Sequence, residues 1–104
     1  MESPFVCDMT AMSAEQRARH HAVAERLRRV SIDFKELPDG YAARFLVDSA
    51  TVLLIAEFIT LERLCCPCLT LGLEVEREGG PLWLKVTGSE GIKPFIRAEL
   101  GIGG

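Results

Sequence analysis

Two stretches of this chain alternate apolar and polar residues one for one, and that period constrains the fold more than any other feature. Leu69, Leu71, Leu73 and Val75 alternate with Thr70, Gly72, Glu74 and Glu76. After Glu78-Gly79-Gly80-Pro81, the alternation resumes as Leu82, Leu84 and Val86 against Trp83, Lys85 and Thr87. Successive strand side chains point to opposite faces, so a period of two calls for strands with one buried face and one wetter face, as in an antiparallel sheet.

A second hairpin is predicted upstream. Val30, Ile32 and Phe34 fall on one face of residues 30–35, and Tyr41, Ala43, Phe45 and Val47 on one face of residues 41–47. Between them stands Pro38-Asp39-Gly40, where Pro sets φ and Asp-Gly accepts positive φ.

Helical periodicity fills the intervals. Ser13-Ala14-Glu15-Gln16 reads as a capping box opening a helix to about Arg29, with His20, Val23, Ala24, Leu27 and Val30 as its apolar stripe. Asp48-Ser49-Ala50-Thr51 can cap a second helix running to about Cys66, apolar on most sides and therefore mostly buried. Pro67 ends it, because the ring disfavours a helical residue in front of it. A last helix starts at Ser89 or Lys93, and Pro94 in a first turn favours the later start. Phe95, Ile96 and Leu100 dock this helix, Gly101 stops it, and residues 102–104 are expected to fray.

The predicted order is α-β-β-α-β-β-α. This is an α+β fold, a four-stranded antiparallel sheet from two β-hairpins with helices packed on one face. Residues 1–12 form an irregular leader, and 13–104 a single domain, which suits a 104-residue chain. Trp83, Leu46 and Ala42 are expected on the opposite sheet face, an apolar set that suits a homodimer interface.

The net charge is −3, with a basic segment at residues 13–29 carrying Arg17, Arg19, Arg26, Arg28 and Arg29 against Glu15 and Glu25. An acidic whole argues against a general nucleic-acid binder, and the basic helix reads first as a solvated face with Glu25 pairing Arg28 and Arg29. The segment Met1-Glu2-Ser3-Pro4-Phe5 lacks the basic and apolar regions of a signal peptide, and the longest apolar run, residues 52–56, is too short to span a membrane. A cytoplasmic location is the expectation. There, clustered cysteines point to metal or redox chemistry more than to a structural staple.

Three of the four cysteines lie within Cys65-Cys66-Pro67-Cys68. Cys65 and Cys68 form a C-x-x-C pair, the spacing of a dithiol oxidoreductase. The setting is reversed, since the pair follows a helix whose C-terminal dipole disfavours a thiolate. Metal binding fits better: thiolates with imidazole suit zinc, and thiolates alone suit copper(I) and other soft metals. Adjacent Cys65 and Cys66 diverge by about 100° on a helix, so both reach one ion only if Pro67 unwinds its end. The candidate ligands are Cys7, His20, Cys65 and Cys66, with Glu62 and Cys68 weaker. The competing reading makes Cys7 and Cys66 small buried residues and His20 a core histidine. Glu57, on the buried helix, is expected to pair with Arg44 or Arg63. Three function classes remain: a soft-metal-binding protein with no catalysis, a thiol–disulfide redox protein using Cys65 and Cys68, and a non-catalytic interaction module.

Phe5-Val6-Cys7-Asp8-Met9, Glu15-Gln16-Arg17-Ala18-Arg19-His20, Glu62-Arg63-Leu64-Cys65-Cys66-Pro67, Gly80-Pro81-Leu82-Trp83-Leu84, Thr87-Gly88 and Gly91-Ile92-Lys93-Pro94-Phe95 together resemble a family of small uncharacterised bacterial proteins. The resemblance covers nearly the whole chain and carries no established activity. It implies that Cys7, Asp8, His20, Glu62, Arg63, Cys65 and Cys66 belong to the group's pattern, and it favours Cys7 and His20 meeting Cys65 or Cys66. In that pattern an aromatic residue usually follows the proline; Cys68 departs from it, which counts against the C-x-x-C redox reading.

Overall fold

A computed structural model describes residues 5–101. The signal-peptide reading of residues 1–5 and the fraying of 102–104 lie largely outside the described residues. Among the described residues the elements are α1 (Ala14–Val30), β1 (Asp33–Leu37), β2 (Gly40–Phe45), α2 (Ser49–Cys65), β3 (Thr70–Val75), β4 (Leu82–Thr87) and α3 (Ile92–Leu100). The order α-β-β-α-β-β-α is as the sequence predicts. The sheet is antiparallel throughout, in the order β1-β2-β4-β3, so the two hairpins join through β2 and β4.

The register puts Tyr41 opposite Val86, Ala43 opposite Leu84 and Phe45 opposite Leu82, stacking the apolar alternation of both strands on one face. These residues, with Val23 and Leu27 of α1, Ile55 and Phe58 of α2 and Ile92 and Ile96 of α3, form the main core. α1 and α2 each begin where the sequence offers a side-chain cap. The Ser13 hydroxyl accepts from the Gln16 N–H while Gln16 accepts from the Ser13 N–H, a complete capping box. The Asp48 carboxylate accepts from the Thr51 N–H. Gly91 and Gly101 bracket α3 in the left-handed region, which glycine enters without a Cβ penalty. Pro94 stands in the first turn of α3, where its missing N–H costs nothing.

Several boundaries differ from the expectation. Val30 ends α1 instead of opening β1, because the helix runs one residue past Arg29 before the chain turns at Ser31. β2 stops at Phe45, which leaves Leu46 72% exposed. Leu53 is 69% exposed, so α2 is apolar beyond the face it buries. Glu57 pairs with neither Arg44 nor Arg63. It receives two hydrogen bonds from the Arg19 guanidinium, at 2.6 and 2.7 Å, because α1 and α2 lie side by side. Arg44 faces Asp33 on the sheet instead. Glu25 does lie beside Arg28 and Arg29, at 3.9 and 3.8 Å.

The face away from the helices carries Ala42 and Trp83 as expected, but not bare. The Trp83 indole N–H donates to Glu76 at 2.7 Å, and the Lys35 ammonium lies 4.4 Å from the ring centroid. Lys85 pairs with Glu74 on the same face. Among the described residues no helix is long and apolar enough to cross a membrane.

Candidate metal centre

The C-terminal end of α2 and the leader meet in a second, smaller core of Met12, Leu61, Cys65 and Cys66, with Cys7, Leu64 and Leu69 packed against it. Two backbone contacts place the leader there. The Asp8 N–H donates to the Cys65 carbonyl at 2.7 Å, and the Arg17 guanidinium donates to the Met12 carbonyl at 2.8 Å. The first satisfies one of the carbonyls that every helix leaves unpaired at its C-terminus. The Asp8 carboxylate caps a short 3-10 turn, Met9–Ala11, by accepting from the backbone and hydroxyl of Thr10. Those hydrogen bonds hold its pKa below the usual carboxylate value.

Pro67 shapes the other side. Cys65 is the last helical residue, and Cys66 leaves the helix with φ −127° and ψ 70°. This is the unwinding that two adjacent cysteines require to share a site, and it brings their sulfurs to 3.8 Å. Both side chains are fully buried. Cys7 reaches Cys66 from the leader, and the two are paired as a disulfide with Cα atoms 4.6 Å apart, within the range such a bond requires.

Glu62 completes the cluster. It is only 4% exposed, and it sits one turn before Cys65 and Cys66 on the same side of α2. The Cys65 S–H points at Glu62 Oε1 at 3.3 Å, with the Glu62 backbone carbonyl at 3.5 Å. Burial pushes the Cys65 thiol up to about 12, and the adjacent Glu62 carboxylate adds to the rise. Among the described residues no Lys or Arg pairs with Glu62. A buried carboxyl group with His20 as its nearest basic neighbour and no Lys or Arg partner, beside thiols at a helix C-terminus, is a place that a bound cation would suit.

One ligand atom each from Cys7, Glu62, Cys65 and Cys66 lies within 4.8 Å of all the others, close enough to hold a metal ion. Of the residues expected there, His20 stands one layer back. Its Nε2 is 3.5 Å from Glu62 Oε1, its ring stacks on Phe58 with centroids 5.7 Å apart, and Nε2 is buried without a hydrogen bond. Cys68 lies outside the cluster and packs with the main core. The C-x-x-C partners are both unpaired, and the disulfide joins Cys66 to Cys7 instead. Glu62, the weaker candidate by sequence, stands within the cluster. Its spacing of three and four before Cys65 and Cys66 was the available signal. Comparison with known proteins finds no matching family model, no matching curated protein and no matching solved structure.

Proposed function

We propose that this chain is a small cytoplasmic soft-metal-binding protein, serving metal handling or sensing, which holds its ion in the reduced state through the thiolates of Cys7, Cys65 and Cys66 and the carboxylate of Glu62. The observation that carries the reading is the convergence of those four donor atoms within 4.8 Å, three of them on buried residues. Four donors of sulfur and oxygen suit tetrahedral zinc, whereas copper(I) would draw on the thiolates and leave Glu62 aside. A cation supplies positive charge that suits the buried carboxyl group and the helix C-terminus, and it stabilises Cys65 as a thiolate where the protein alone keeps it a thiol. His20 belongs to the site as the group that orients Glu62, the outer-shell role that neighbours of metal ligands commonly play. The resemblance to small bacterial proteins sharing Cys7, His20, Glu62, Cys65 and Cys66 supports the same set.

The test is zinc and copper(I) titration of the fully reduced protein against a chromophoric chelator. One equivalent should bind. Cys65→Ser and Cys66→Ser should each lose most of the affinity, and Cys68→Ser should keep it. A reduced protein that binds neither ion would overturn the reading.

A further inference from the structure

Two of the four donors are also the two halves of a disulfide. Cys7 and Cys66 are joined, while Cys65, 3.8 Å from Cys66, is left as a thiol. We propose that the Cys7–Cys66 bond gates the metal centre: the reduced pair loads the ion and its oxidation expels it. This rests on the metal reading above and names the regulation of that same site.

The chemistry follows from which electrons are free. A sulfur in a disulfide is not a thiolate and offers no strong donor to a cation. Oxidation therefore removes Cys7 and Cys66 together and leaves Cys65 and Glu62. Those two donors cannot complete a four-coordinate shell, and Cys65 reverts to a thiol hydrogen-bonded to Glu62.

Passing between the two states requires only that the bonded sulfurs part, since thiolates sharing one zinc at ~2.3 Å each stand about 3.5–4 Å from one another. The leader is not held by the disulfide alone. The Asp8 N–H on the Cys65 carbonyl, Arg17 on the Met12 carbonyl, and Met12 at 2% exposure in the small core all fix Cys7 beside Cys66 whether or not the sulfurs are bonded. Opening the bond frees two thiols that already stand at the site.

Burial sets the direction of attack. Cys66 is fully buried and Cys7 only partly, so an outside reagent meets the Cys7 sulfur first. The oxidant is a low-molecular-weight disulfide, RSSR. The Cys7 thiolate attacks one of its sulfurs, forming a Cys7–SR mixed disulfide and releasing RS⁻. The Cys66 thiolate then attacks Cys7 Sγ, forming the Cys7–Cys66 bond and releasing the second RS⁻. From the loaded state, two metal-bound thiolates are oxidised and RSSR is reduced. Two protons from solvent give two RSH, and the divalent ion leaves. Reduction reverses the sequence, with RS⁻ attacking Cys7 and Cys66 as the leaving thiolate.

The experiment uses the full chain, Zn²⁺ as the metal and oxidised glutathione as the oxidant. Zinc affinity is measured on the reduced protein, on the oxidised protein and after re-reduction, with disulfides mapped by peptide mass spectrometry. The expected result is one zinc bound when reduced, an affinity weaker by at least ~100-fold when oxidised, and full recovery on re-reduction. Oxidised glutathione added to the loaded protein should release the zinc and yield the Cys7–Cys66 peptide, and Cys68→Ser should respond alike. Equal zinc binding by both states overturns the gate and leaves the metal reading standing. A disulfide that joins Cys65 to Cys68 also overturns the gate. No zinc bound by the reduced protein removes the metal reading itself, and the gate with it.

Discussion

His20 and Glu62 face each other across the α1–α2 interface, with His20 Nε2 3.5 Å from Glu62 Oε1. The imidazole stacks on Phe58 of α2, with ring centroids 5.7 Å apart. It therefore limits where the carboxylate can swing, although it gives no ligand atom to the four-residue cluster. His20→Ala should weaken zinc binding by the reduced protein by ~10–100-fold, the usual consequence of removing a group that orients a ligand. Cys68→Ser, made alongside it, should change nothing. Chelator competition on both variants is the measurement, and equal affinities would place His20 among plain core residues.

Cys65 gives the metal-free protein, with its Cys7–Cys66 disulfide intact, an alkaline sensitivity. Its thiol rises from 9.0 to about 12 because burial and Glu62 oppose the thiolate. A folded-state pKa above the unfolded value means that folding favours the protonated form. The contribution is fully present below pH 9 and is lost as pH rises toward 12. Denaturant midpoints taken between pH 8 and 11 should fall, and Cys65→Ser should flatten the fall. In the same protein iodoacetamide at pH 8 should label Cys68 and spare Cys65 until denaturant is added.

How far the sequence reached can be read from particular residues. The period of two placed Tyr41, Ala43, Phe45, Leu82, Leu84 and Val86 on one face, because burial of a single sheet face is a local pattern. The caps at Ser13 and Asp48 were equally local. The pairing of Arg19 with Glu57 was not, since it depends on the angle at which two helices lie together. Cys7 shows the same limit from the other side. The leader has no periodicity, so its convergence on Cys65 and Cys66 could only be conjectured from the chemistry of the residues. The path that achieves it, through the Asp8 N–H and Met12, runs through backbone groups that every residue shares.

Gly40 fixes the close approach of β2 and β4 beside the first turn. It pairs with Thr87, and a Cβ built on it would overlap the Val86 carbonyl oxygen and lie 2.7 Å from the Thr87 Cα. Both obstacles are backbone, so neither can yield by a rotamer change. Gly40→Ala should cost at least about 2 kcal/mol by overpacking alone. A denaturant curve at neutral pH measures it. Gly72→Ala is the matched comparison, because its Cβ would meet only the Lys85 Cβ at 3.8 Å, an ordinary contact.

Trp83, the single tryptophan of the chain, reports on the open sheet face. Its indole N–H donates to Glu76 in the β3–β4 turn, and the Lys35 ammonium covers the ring from β1. Removing Glu76 leaves that N–H without its acceptor, while removing Lys35 uncovers the π-face and leaves the hydrogen bond intact. Glu76→Ala should therefore cost ~1 kcal/mol, near the net worth of one hydrogen bond. Lys35→Ala should cost ~0.5–1 kcal/mol, the range of a cation–π contact near the surface. Both should shift tryptophan emission to the red as water reaches the ring. The two groups touch different parts of one indole from opposite edges of the sheet, so a double-mutant cycle should give a coupling energy well under ~0.5 kcal/mol. Strong coupling would mean that Lys35 and Glu76 hold the ring as a unit.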